Sequence, residues 1–122
     1  MIENEQNDIR YFQFEGLGEY GRLQHAIFSR RGGCSPTPYD GLNMSLSVPD
    51  DEANVFANRA QAYGLFGRTN ETLVHAFLVH GNAVAAVTHQ NYGEYVHHVD
   101  GLITNEPGCG LTMNYADCTP IF

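Results

Sequence analysis

An α+β fold, with mixed β-sheet layers and one main helix, is predicted by three observations. First, short apolar or alternating runs recur along the chain: Ile9-Arg-Tyr-Phe-Gln-Phe14, His25-Ala-Ile-Phe28, Leu73 to Val79, Ala83 to Thr88, and Gly110-Leu-Thr-Met-Asn-Tyr115. Each has the length of a strand. Second, a single segment, from about Asp51 to Tyr63, carries helical spacing. Third, turn residues punctuate the intervals, with no internal repeat, low-complexity stretch or linker. A chain of 122 residues with 43% hydrophobic content is one domain or part of one, and can bury a modest core.

Residues 1–8 are polar and acidic and are expected to form a flexible tail, leaving residues 9–122 as the folded part. Ile9–Phe14 alternates as an edge or half-buried strand does. Glu15-Gly-Leu-Gly18 is a turn, and His25–Phe28 a short strand. Arg30-Arg-Gly-Gly-Cys-Ser-Pro-Thr-Pro38 is a Gly- and Pro-dense loop, and Leu42–Val48 is read as irregular. In the helix, Asp50 is expected as N-cap, with Asp51 and Glu52 at the positive end of the helix dipole. Ala53, Phe56, Ala57, Ala60 and Tyr63 form its expected apolar face, and Gly64 its left-handed stop. Leu73–Val79 and Ala83–Thr88 flank His80-Gly-Asn82 as a hairpin or as two strands meeting at a kink. The chain then runs through Asn91–Glu94 as a loop and His97–Thr104 to the strand at 110–115. It ends at Phe122 in another apolar stretch.

Charge and residue usage exclude several functions. A net charge of -8 disfavours a nucleic-acid backbone. All six basic residues are Arg, so lysine Schiff-base chemistry is absent and a phosphate would be held by guanidinium or backbone amides. Three cysteines without C-x-x-C spacing make neither a disulfide framework nor a self-contained zinc ribbon. The N-terminus lacks the pattern of a signal peptide and no apolar run reaches membrane-spanning length. A cytoplasmic protein with reduced thiols, and no membrane partner, is expected.

Two apolar runs end in reactive side chains. Leu73–Val79 delivers His80, before Gly81; Gly110–Tyr115 delivers Asp117 and Cys118, before Pro120. They read as two halves of a metal or nucleophilic site. The plainer alternatives are a strand-capping histidine and a structural thiol. Arg30, beside Arg31, Gly32 and Gly33, suits an anion, or is a solvated loop residue. Asp100 is a turn aspartate or orients a histidine from behind. His97 and His98, as strand neighbours, point to opposite faces, one exposed and one packed; His75 reads as half-buried packing, and Cys34 and Cys109 as structural.

Six segments, in order, resemble one family over most of the chain: Phe28-Ser-Arg-Arg-Gly-Gly-Cys-Ser35, Pro38-Tyr-Asp-Gly-Leu-Asn-Met44, Asn58-Arg59, Val79-His80-Gly81, Val99-Asp-Gly-Leu-Ile-Thr104 and Ala116-Asp-Cys-Thr-Pro120. The family is variously described as laccase-domain protein, multicopper polyphenol oxidase and purine nucleoside phosphorylase. Leu78, Cys34 and Val99 depart from its usual Gln, Val and Ala. Its members are longer, with a third key histidine after the Ala-Asp-Cys segment, so the chain resembles the N-terminal part of a member, an incomplete half of the family fold.

The resemblance implies that His80 and Cys118 are metal ligands and catalytic residues, with zinc as cofactor, copper as the alternative, and the third ligand missing from this chain. It implies phosphorolysis of adenosine, inosine and methylthioadenosine, with adenosine deamination. Arg30 and Arg59 are then candidates for phosphate, Asn43 for a ribose hydroxyl or for shaping the pocket, and Asp100 and Asp117 for supporting roles. The six scattered histidines suit a multicopper oxidase less well. A further alternative is an inactive fragment or assembly module, forming a homo-oligomer through an unpaired sheet edge.

Overall fold

The computed structural model describes residues 1–122. These divide into two units, Met1–Gly67 and Arg68–Phe122. The architecture is α+β, with few helices and several small sheets.

The first unit opens with β1 (Ile2–Gln6), β2 (Ile9–Gln13) and β3 (Ile27–Phe28), an antiparallel sheet in sequence order. Residues 2–6, expected to fray, instead pair along their whole length with β2, from Ile2 opposite Gln13 to Gln6 opposite Ile9. Cross-strand ion pairs reinforce the register: Arg10 lies 3.1 Å from Glu3 and 3.4 Å from Glu5. Ile9 is fully buried, and Tyr11, Phe28 and Phe66 pack their rings edge-on or tilted. Glu15–Gly18 closes a single helical turn, α1.

The main helix, α2, spans Glu52–Gly64. Its N-cap is Asp51, whose carboxylate accepts from Ala53 N at 2.9 Å, one residue later than expected. Asp50 is released for another task. Gly64 does not provide the left-handed stop; Gly67, at φ +65°, is the glycine in that conformation. The expected apolar face is also displaced. Val55, Asn58, Arg59, Ala62 and Tyr63 are buried, whereas Phe56 is 43% exposed and Ala53, Ala57 and Ala60 are not among the buried residues. The reason is physical: a buried polar group satisfied by hydrogen bonds occupies the core as well as an apolar one, so the inward face is not the most hydrophobic one.

Asn58 shows how. Its Nδ2 donates to Ser35 Oγ at 2.9 Å and Asn43 O at 2.9 Å, and its Oδ1 accepts from Cys34 N at 2.8 Å. One fully buried amide thus pins both arms of the 33–44 loop. Gly33 permits this approach: it sits at φ +77°, and a Cβ there would stand 2.6 Å from Asn58 Oδ1. Asp50 closes the circuit, accepting from Ser35 Oγ at 2.6 Å and Asn43 Nδ2 at 2.8 Å. The Asn43 and Ser35 bonds, followed by those from Asn54 and the Asp51 amide, outweigh partial burial and hold the Asp50 carboxyl below the usual carboxylate range.

The second unit is built from parallel pairs. A 3-10 turn (Asn70–Thr72) leads into β4 (Leu73–Ala76), buried at every position as expected of a central parallel strand. β4 lies between β6 (Tyr95–Val96) and β8 (Gly110–Met113), parallel to both. β5 (Val84–Ala86) pairs in parallel with β7 (Gly101–Ile103) in a separate sheet. Residues 73–79 and 83–88 therefore do not make a hairpin; the chain changes sheets at His80-Gly-Asn82. β6, two residues long, is too short to show periodicity. His75 is buried, stacked on Tyr95 and 2.9 Å from Asn70 O. His97 and His98 are both exposed; His97 stacks on Phe77, and His98 takes φ +62°. Residues 114–122 form no strand.

Asn58→Ala is expected to destabilise the first unit by about 2–4 kcal/mol, because it strands several buried partners; chemical denaturation measures this. Asp50 contributes stability that is fully present above its unfolded pKa of about 3.9. That contribution is lost as pH falls through its lower folded value. Asp50→Asn should flatten this part of the acid unfolding curve.

Candidate active site

In the second unit, β6, β4 and β8 run parallel, so their C-terminal ends share one edge. In open sheets with parallel strands, that edge is where loops gather functional groups. The chain leaving β4 reaches His80 and the chain leaving β8 reaches Cys118. The structure brings them together: His80 Nδ1 lies 3.8 Å from Cys118 Sγ, and both residues are exposed.

His80 adopts a left-handed backbone conformation, φ +59°, unusual for a residue with a side chain. Asp100 lies across from it, immediately before β7. One carboxylate oxygen, Oδ1, accepts from Val79 N at 3.0 Å and His80 N at 2.8 Å; the other, Oδ2, accepts from Gly81 N at 2.8 Å. Burial opposes its charge and is the largest single influence. The amides of Gly81, Val79 and His80, with the nearby His80 side chain, together outweigh it and hold the carboxyl below its usual range.

Beyond β8, Tyr115 Oη donates to Met113 Sδ at 3.5 Å. Burial pushes its phenol pKa up, and the negative charge of a Cys118 thiolate adds to this. A neutral phenol thus stands in the segment leading to the thiol. Asp117 is exposed beside Cys118.

The pair suits a metal as donors. Nitrogen and sulfur on one tetrahedral zinc, at ~2.0–2.1 and ~2.3 Å, lie about 3.6 Å apart, close to the separation here. No third His, Cys, Asp or Glu completes a group able to hold a metal ion. Other histidines have structural contacts: His25 Nε2 accepts from Phe14 N at 2.7 Å, and His89 Nδ1 lies 2.6 Å from Glu106.

The first unit holds the remaining candidates. Arg30 is largely exposed, with Nη2 donating to Asp40 O at 3.2 Å and 3.4 Å from Asp40 Oδ2. Arg59 is 1% exposed and gives both Nε, at 2.9 Å, and Nη2, at 2.7 Å, to Met44 O. It thus buttresses the loop at 42–44. Asn43 is similarly engaged: Nδ2 donates to Asp50 and its Oδ1 accepts from Ser45 N at 3.0 Å. These bonds hold the loop at 43–50. Asn58, Asp50 and Tyr115 escaped sequence reasoning as site or anchor residues. A polar side chain at a helix position spaced with Val55 and Ala62 was the signal for Asn58.

Comparison with known proteins identifies the family. The family profile described as multi-copper polyphenol oxidoreductase laccase matches residues 24–122. A purine nucleoside phosphorylase of Bacteroides thetaiotaomicron is 31% identical over 121 residues, covering 93% of this chain and 45% of that protein. Purine nucleoside phosphorylase YlmD of Bacillus subtilis is 35% identical over 101 residues, covering 77% of this chain and 36% of its own length. Among solved structures, YlmD from Geobacillus stearothermophilus superposes with TM-score 0.72 at 34% identity, covering 76% of this chain and 37% of that one. The hypothetical protein YfiH of Bacillus licheniformis superposes with TM-score 0.81 at 22% identity, covering 95% and 45%, and supports the fold alone. The chain spans less than half the length of these relatives. It carries a partial domain of their fold, and it belongs to the multi-copper polyphenol oxidoreductase (laccase-like) family.

Proposed function

We propose that this chain supplies part of the active centre of a purine nucleoside phosphorylase that also deaminates adenosine, with His80 and Cys118 as two zinc ligands. The observation that carries the reading is the 3.8 Å approach of His80 Nδ1 to Cys118 Sγ on an exposed edge. The relatives named purine nucleoside phosphorylase supply the substrate class, a purine nucleoside with phosphate; adenosine, inosine and methylthioadenosine are its proposed members. When bound, zinc with an open position would supply Lewis acidity and an acidified water; its third protein ligand comes from outside this chain.

The chain's own residues have separate tasks in this reading. His80 and Cys118 hold the metal, Cys118 as thiolate. Arg30, the exposed guanidinium on the Gly-rich loop, takes the phosphate, and Arg59 with Asn58 keeps the adjoining loop in shape. In phosphorolysis a phosphate oxygen bonds to C1′ of the ribose as the C1′–N9 bond breaks, and the base leaves with that electron pair and takes a proton. In deamination water adds to C6 of adenine and ammonia leaves. Copper at the same pair, with phenol oxidation, is the second reading and rests on the family's description.

Expressed in its complete reading frame, with zinc, adenosine and phosphate, the protein should release adenine and ribose 1-phosphate and form inosine. Finding none of these products overturns the reading, and phenol turnover with a thiolate-to-copper absorption band would favour copper. His80→Ala and Cys118→Ala should each lower turnover roughly a hundredfold or more. The 122-residue chain alone should bind zinc weakly, since two ligands make a poor site; stoichiometric zinc surviving dialysis would contradict this.

A further inference from the structure

The geometry points to Asp100 as the positioning residue of His80: its carboxylate fixes the backbone at Val79–Gly81 and thereby aims the imidazole at Cys118.

β4 and β5 are successive strands in different sheets, so the segment joining them has no ladder to hold it. Asp100 is held independently. Its own amide donates to Ala83 O at 2.8 Å, Val99 before it is buried, and Gly101 after it opens β7 opposite Val84. The carboxylate therefore projects from the β5–β7 sheet and binds the chain leaving the β6–β4–β8 sheet. It ties the one to the other.

The tie also selects a conformation. Accepting three successive amides requires the backbone at 79–81 to curl so that the N–H groups converge, as they do in an anion-binding nest. A left-handed residue in such a run turns the chain, and here that residue is His80. A side chain beyond Gly disfavours this conformation, so without its anion the segment relaxes toward extended backbone. Such a relaxation redirects the His80 Cα–Cβ bond and takes the ring away from Cys118. The carboxylate bonds the backbone of 79–81 and so acts through His80. This role concerns the geometry of the pair and is independent of whether zinc binds there.

The test compares the wild-type chain with Asp100→Asn, which keeps the shape but presents an amide NH2 where one backbone N–H needs an acceptor. In NMR spectra the variant should no longer show the nuclear Overhauser effect between the His80 ring and the Cys118 β-protons. Those across β4 and β8, such as His75 to Thr112, should persist. Amide protection at 79–81 should fall roughly ten- to a hundredfold, as expected for removing hydrogen bonds to a charged acceptor. Retention of the His80–Cys118 effect in a folded Asp100→Asn chain would overturn the inference. So would a uniform fall in protection across the second unit with that effect intact, which marks a merely structural role. If the variant does not fold, hydrogen exchange on the wild type decides: the amides of Val79, His80 and Gly81 should be protected and open together, and exchange at free-peptide rates would overturn the inference. Zinc affinity measured on the same samples keeps the two readings distinct. Weak binding is expected of both proteins; stoichiometric zinc on either would contradict the two-ligand site, while separation of the imidazole and thiol only in the variant would still support the positioning.

Discussion

Three backbone amides converging on the carboxylate of Asp100 are the constraint on which the organisation of the second unit turns. Strands of the two small sheets pair only within their own sheet. Their mutual arrangement therefore depends on packing and on the segment that passes between them. A charged acceptor bonded to three donors is stronger than an ordinary turn bond. It is also directional, which apolar packing is not. The approach of imidazole to thiol inherits its geometry from this anchor.

The first unit uses the same device in a drier setting. Asn58 does for the loop at 33–44 what Asp100 does for 79–81: one side chain satisfies several backbone groups that no strand or helix can reach. Both loops contain glycine, and Gly33 shows why, since the anchoring amide stands where a side chain would otherwise begin. Polar anchors of this kind explain how a chain with modest apolar content and many irregular segments holds definite shape. Arg59 adds to the same support, giving Nε and Nη2 to Met44 O.

Much of this was legible in the amino acids, and the failures have identifiable causes. The α+β class, the main helix and most strands follow from apolar spacing. The convergence of His80 and Cys118 was readable because both sit just past apolar runs that become parallel neighbours, β4 and β8. The inward face of α2 was not legible, since hydropathy ranks Phe56 above Asn58 and cannot register four hydrogen bonds waiting for an amide. The strand at residues 2–6 was hidden by its polar composition; its ladder and its ion pairs both lie with β2, and an edge strand needs little apolar surface. Residues 80–82 left a hairpin and a kink between two strands both open, because a turn and a crossover between parallel pairs present the same local sequence; the pairing excludes the hairpin.

The two units also differ in how far apart along the polypeptide their partners lie. β1 and β2 are joined by a two-residue turn, Asn7-Asp8, both at positive φ, so their ladder zips from a local start. β4 meets β8 only after the intervening segment is laid down, and His80 meets Cys118 across 38 positions. Closing such a long loop carries an entropic cost before any interaction rewards it. During synthesis on the ribosome, the hairpin can form as soon as its second arm emerges. The imidazole–thiol encounter has to wait until residue 118 has followed it out of the exit tunnel.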